Sequence, residues 1–91
     1  KDLQKIWEIL SSRENVLNFN QPLSMFLGPN EILLNVDIMF DDKMTTDEIE
    51  AEIDEIEKRI TASIPKINRI YIEAEAISKS DIPANNLKIF K

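Results

Sequence analysis

The 91-residue sequence contains no cysteine and no histidine. The first absence removes disulfides and thiolate chemistry, and with them any reading of compartment from redox usage. The second removes the commonest general base and the commonest zinc ligand. A single glycine, Gly28, leaves no material for a glycine-rich phosphate loop. Ser11, Ser12, Ser24 and Ser63 have no histidine to activate them, so the sequence predicts a protein that is not an enzyme. No apolar run approaches the roughly 20 residues of a bilayer span, and no signal-peptide pattern is present. The chain opens at Lys1 without a methionine, so a piece of a longer polypeptide is expected. Basic residues are also scarce, with 11 against 17 acids and a net charge of −6. That balance argues against nucleic acid, whose phosphates need a basic surface, and against docking on an anionic membrane. What remains is a short chain with 43% hydrophobic residues, enough for one small domain with a modest core. Such domains often gain stability by dimerising.

The pattern is clearest from Glu31 to Asp41. Ile32, Leu34, Val36, Ile38 and Phe40 alternate with Leu33, Asn35, Asp37 and Met39, the period of a strand with one buried face. Leu33 and Met39 make the second face partly apolar, which suits a central strand. From Asp2 to about Arg13, Leu3, Ile6, Trp7, Ile9 and Leu10 recur at helical spacing, with an exit expected at Glu14-Asn15. Val16 to Leu27 reads as one extended segment, with Phe19, Leu23, Met25 and Leu27 sharing a parity. Pro22 cannot donate to a ladder and places this strand at an edge or a bulge. Gly28-Pro29-Asn30 is the turn of an antiparallel hairpin. Thr45-x-x-Glu48 has the form of a capping box, and Ile49, Ile53, Ile56, Ile60 and Ile64 make one apolar stripe until Pro65 stops the helix. Ile67 to Ala76 reads as a further strand, parallel to the central one because a helix crosses between them. The expected fold is α+β: a two-layer ferredoxin-like sandwich of order α-β-β-α-β, with a three-stranded mixed sheet. Residues 1–76 form the domain and 77–91 a C-terminal tail, in which Leu87, Ile89 and Phe90 could pack down.

Asp37 projects from the outer face of the central strand, and Glu73 and Glu75, two apart, share a face of the last one. On neighbouring strands these carboxylates would gather and repel unless a cation or solvent relieved them. They read either as a divalent-metal site with oxygen ligands or as a solvated acidic face eased by Arg69 and Tyr71. The helix acids from Glu48 to Glu57 are expected to be nearly all solvent-facing. Leu33, Met39 and Phe26 fall opposite the core parity of their strands, and either the tail or a second copy would cover them.

The run from Val16-x-x-Phe19-Asn20 through Leu23-Ser24-Met25, Gly28-Pro29 and Ile32-Leu33-Leu34-Asn35-Val36-Asp37-Ile38 resembles the cytoplasmic C-terminal domain of cation diffusion facilitator transporters. So do Asp41 followed by Met44-Thr45-Thr46, the acidic helix with Ile53 to Glu57, and Pro65-x-Ile67-x-x-Ile70-x-Ile72-Glu73-Ala74-Glu75. The likeness covers about residues 3–76. It implies a homodimerisation module at the cytoplasmic face of a membrane, following the transmembrane domain of the same polypeptide. The implied transporter exports zinc, manganese, iron or related ions, and the module responds to cytoplasmic divalent metal. Relatives with zinc sites often have histidine where this chain has Asn20, Asp37, Glu50 and Glu73, while the carboxylate at Glu75 is retained. The resemblance thus names those five residues as the candidate ligands of a weakly bound zinc or manganese ion. Oxygen ligands suit the harder ion. The rival expectation is a free-standing ferredoxin-like module that binds a small molecule or partner protein.

Overall fold

The computed structural model describes residues 2–78, so the expectations for the tail from 79 onward lie outside the described residues. In chain order it runs α1 (Asp2–Ser12), β1 (Val16–Phe19), β2 (Leu23–Gly28), β3 (Glu31–Asp41), α2 (Thr46–Ser63) and β4 (Ile67–Ile77). β3 is central. Its one edge pairs antiparallel with β2 along its first half and with β1 along its second, and its other edge pairs parallel with β4. The mixed sheet with both helices on one side is the two-layer α+β sandwich expected.

The segment read as one edge strand is two. Asn18 faces Met39 and Phe19 faces Ile38, but after the break at Asn20-Gln21-Pro22, Leu23 faces Asn35. The register advances by one residue across the break, and a one-residue step in a pleated strand exchanges its faces. The parity assigned to Phe19, Leu23, Met25 and Leu27 therefore does not hold. Phe19 is fully buried, whereas Leu23 and Met25 stand on the helix-free face. Phe26, expected on that open face, instead lies beside Ile32 on the helix side. Pro22, which brings no N–H, is buried at this step. The order becomes α-β-β-β-α-β.

The strand ladder and the helix stripes agree about the core. Ile32, Leu34, Val36, Ile38 and Phe40 are all buried, against Ile6 and Leu10 of α1 and Ile56 and Ile60 of α2. Trp7 meets the edge of Phe19, with ring centroids 6.1 Å apart at 72°. α1 ends at Ser12, and a turn at Glu14-Asn15 leads into β1. α2 starts on the expected capping box. The Glu48 amide donates to Thr45 Oγ1 at 3.1 Å, and the Thr45 amide donates to Glu48 Oε1 at 2.8 Å. At its other end the Ile64 amide still donates to the Ile60 carbonyl before Pro65 ends the run. Gly28 is not in the left-handed region, and a Cβ built there would lie 3.8 Å from Glu31 Cβ, an ordinary contact. The hairpin is made by Pro29-Asn30, so glycine is a convenience there and not a requirement.

Candidate functional site

The parallel register of β3 with β4 sets Asp37 beside Glu73 and Met39 beside Glu75. Paired residues in a ladder share a face, so all three acids lie on the open side of the sheet. Asn20, just past the end of β1, completes the group. Its amide N–H donates to the Asp37 carbonyl at 2.9 Å, and its Nδ2 donates to Asp37 Oδ2 at 2.8 Å.

The Asp37 and Glu73 side chains interact as two carboxyls sharing one site. The Glu73 carboxyl is pushed above the usual range, first by hydrogen bonding with Asp37 and then by its charge. Desolvation and Glu75 add to the same direction. A carboxyl raised this way holds a proton more readily, or welcomes a cation in place of one. Tyr71 stands two residues back along β4, beside Asn35, and the Arg69 Nε–Glu31 Oε2 pair closes the far end at 3.3 Å.

Glu50 does not join this group. It lies in α2, in the helix layer, with its side chain exposed on the opposite side of the sheet from Asp37. Among the described residues, no three acids stand close enough to hold one metal ion. One chain therefore offers an adjacent pair, Asp37 and Glu73, flanked by Asn20 and Glu75. An oxygen-ligated cation takes about six ligands or more, so this set is incomplete on its own.

Sequence reasoning missed one carboxylate. Glu52 is buried at 7% exposure, although the acids of α2 are otherwise half-buried or exposed. Arg13 grips it with two parallel bonds, Nε to Oε2 at 2.6 Å and Nη2 to Oε1 at 3.0 Å. The Arg13 hydrogen bond holds the Glu52 carboxyl below its usual range, opposed by burial and helped by the Arg13 charge, Asn15 and Arg59. Its position was a signal. Glu52 falls three residues after Ile49 and four before Ile56, on the margin of the apolar stripe. The pair ties the exit of α1 to the middle of α2 and has no part in the open face.

The whole described domain matches a known family of sequences and a known group of structures. The family described as cation efflux protein, cytoplasmic domain, matches residues 1–77. The metal-bound C-terminal domain of the CzcD transporter from Thermotoga maritima superposes with a TM-score of 0.76 at 21% identity, over 82% of this chain and 86% of that one. A nickel form of a single-substitution variant of the MamM C-terminal domain gives 0.73 at 18% identity, over 85% of this chain and 96% of that one. A copper form of the same domain gives 0.71 at 17%, over 89% and 78%. At these identities the likeness is one of fold. No curated protein matches the chain in sequence.

Proposed function

Because the chain belongs to the family of cytoplasmic domains of cation efflux proteins, a family of dimerisation domains without catalytic activity, we propose that it pairs two protomers of a divalent-cation exporter and regulates them in response to metal. The cargo class is zinc, manganese or iron. The observation that carries the reading is the Asp37–Glu73 pair on the open sheet face, with Asn20 bonded to Asp37 and the Glu73 carboxyl raised. Two carboxylates held side by side by a rigid parallel ladder repel each other. The pair is too small to complete a coordination shell. A second copy facing the open side would bring an equivalent pair, and a cation between the two would relieve both. Bound metal then favours the arrangement of protomers in which the two pairs approach, and the equilibrium moves toward it. Every donor is an oxygen, so manganese and other hard ions fit as well as zinc, and binding is weak. Asp37 and Glu73 carry the site. Glu75 and Asn20 support it, and Glu50, across the sheet, would have to act from outside the group.

Sedimentation velocity in chelator, and then in added manganese or zinc, tests this. The expected result is a dimer whose frictional shape tightens with metal, a change lost in Asp37→Ala/Glu73→Ala. If wild type and variant respond identically, the site is wrong and dimerisation alone stands.

A further inference from the structure

Exposed large apolar side chains are concentrated on β2: Leu23 is 66% exposed, Met25 58%, Phe26 71% and Leu27 46%. They do not share a face. Leu23 and Met25 lie on the open side beside Asn35 and Leu33, and Phe26 lies on the helix side beside Ile32. A partner packed flat on the open face would leave Phe26 in water, and a partner on the helix side would leave the other two. An apolar phase entered edge-on covers both faces at once. Immersion must be shallow. β2 is an outer strand among the described residues, and its unpaired backbone groups need the hydrogen bonding that a headgroup region supplies and hydrocarbon does not.

The charge distribution fits the same surface. Apart from Glu31, the acids of the sheet begin at Asp37 on β3 and at Glu73 on β4, toward the far end. The hairpin end carries Lys66, whose carbonyl accepts from the Ile32 amide at 3.0 Å, and Arg69, which neutralises Glu31. Both basic side chains are exposed. The net charge of −6, which argues against an anionic surface, is an average over two unlike ends.

We propose that the β2–β3 hairpin docks on the interfacial zone of a phospholipid bilayer containing anionic lipid. Leu23, Met25, Phe26 and Leu27 enter the acyl boundary, and Lys66 and Arg69 sit among the headgroups. This contact uses none of the carboxylate group, but Leu23 and Met25 share the open face with it, so a second copy seated on that face competes with the bilayer for those two side chains. The test is flotation of the 91-residue chain with vesicles of phosphatidylcholine, alone or mixed with phosphatidylglycerol. Trp7, which borders Pro22 at the start of β2, reports binding by fluorescence. The expected result is flotation with the mixed vesicles and a blue shift of Trp7. Met25→Ser/Phe26→Ser should lower the partition coefficient about tenfold or more. Lys66→Glu/Arg69→Glu should abolish the preference for anionic lipid. All four positions are exposed, and circular dichroism of each variant should match wild type. Failure to float overturns the proposal, as does equal flotation of wild type and both variants. Loss of self-association by the serine variant without loss of flotation would make β2 a protein contact and overturn it too.

Discussion

Replacing Arg13 by methionine should expose how α1 is held to α2. Methionine keeps most of the aliphatic stem and deletes the guanidinium, so Glu52 remains in its site with its main partner gone and only Asn15 and the Arg59 charge to support it. Glu52 is 7% exposed and Arg13 22%, and two bonds at 2.6 and 3.0 Å join them. Breaking a fully buried pair from one side costs about 3–5 kcal/mol, and an exposed pair contributes about 1 or less. Arg13 reaches solvent along one side, so the expected cost lies below the buried range, at about 2–3 kcal/mol at pH 7. With a urea dependence of about 1 kcal/mol per molar, the unfolding midpoint falls by about 2–3 M. Far-UV circular dichroism at one fixed protomer concentration measures it, since a pairing domain's stability depends on concentration.

The sign of the pH dependence makes the prediction harder to satisfy by accident. In wild type the Glu52 carboxyl is lowered on folding from the ordinary 4.5. Its contribution is complete above the unfolded value and is lost as pH falls through the folded one. In Arg13→Met the Arg13 hydrogen bond and charge are gone while burial stays, so the carboxyl rises, with only Asn15 and Arg59 left to lower it. Acid then neutralises a buried charge that has lost its main partner, so the variant gains from Glu52 where wild type loses. The gap between the two should be widest above about pH 5 and should narrow below about pH 4. In Arg13→Met/Glu52→Met, which removes both charges, much of the lost stability should return. A gap under about 0.5 kcal/mol at pH 7, or one that widens in acid, would refute the assignment of Glu52 as a buried, Arg13-dependent carboxylate.

Thr45→Ala removes the acceptor of the Glu48 amide and should cost about 1 kcal/mol in the same assay. Ile60→Ala truncates a fully buried residue of the core cluster and should cost about 3 kcal/mol. Gly28→Ala should be neutral or stabilising by about 0.5 kcal/mol, because the backbone accepts a Cβ and the unfolded chain loses freedom. Glu73 should titrate above an ordinary glutamate in a carboxyl-detected NMR experiment, and Asp37→Asn should bring it back down. Since its folded value is raised, Glu73 opposes folding at neutral pH and that opposition is relieved as pH falls through the folded value.

The central strand and the second helix were legible because each has one strong period and one strong boundary. Five alternating apolar residues fix the faces of β3, and Thr45 with Glu48 starts α2 where the capping pattern says. The group of Asp37 with Glu73 was legible for the same reason: a parallel neighbour of β3 has to present its even or odd residues together. What escaped was anything decided by a single residue of register. The break at Asn20-Gln21-Pro22 swaps the faces of β2, and proline announces an interruption without saying how many residues it absorbs. The swap moved Phe26 to the helix side and put Leu23 on the open one. Glu52 escaped because an acid at the margin of an apolar stripe is read as solvated until its partner, 39 residues away in sequence, is in view. Glu50 was carried into the metal group by family likeness alone, and the helix layer places it across the sheet.

The placement of the carboxylate pair on ladder positions, and not on a loop, decides what a bound cation can do. A loop that gathers acids answers a cation by closing around it. Asp37 and Glu73 are held in adjacent, hydrogen-bonded strands, and Asn20 fixes the Asp37 carboxylate from a third direction. Their backbone cannot separate to relieve the repulsion or close to complete a shell. Repulsion between these fixed points that solvent does not screen is relieved by something that arrives, a proton, a cation or a second copy of the same surface with a cation between. The first is detected by titration of Glu73 and the second by metal binding that is insensitive to protein concentration. Only the third couples metal occupancy to protomer arrangement, and it alone makes apparent metal affinity rise with protein concentration. A metal titration repeated at two protein concentrations therefore separates a passive acidic face from a sensor.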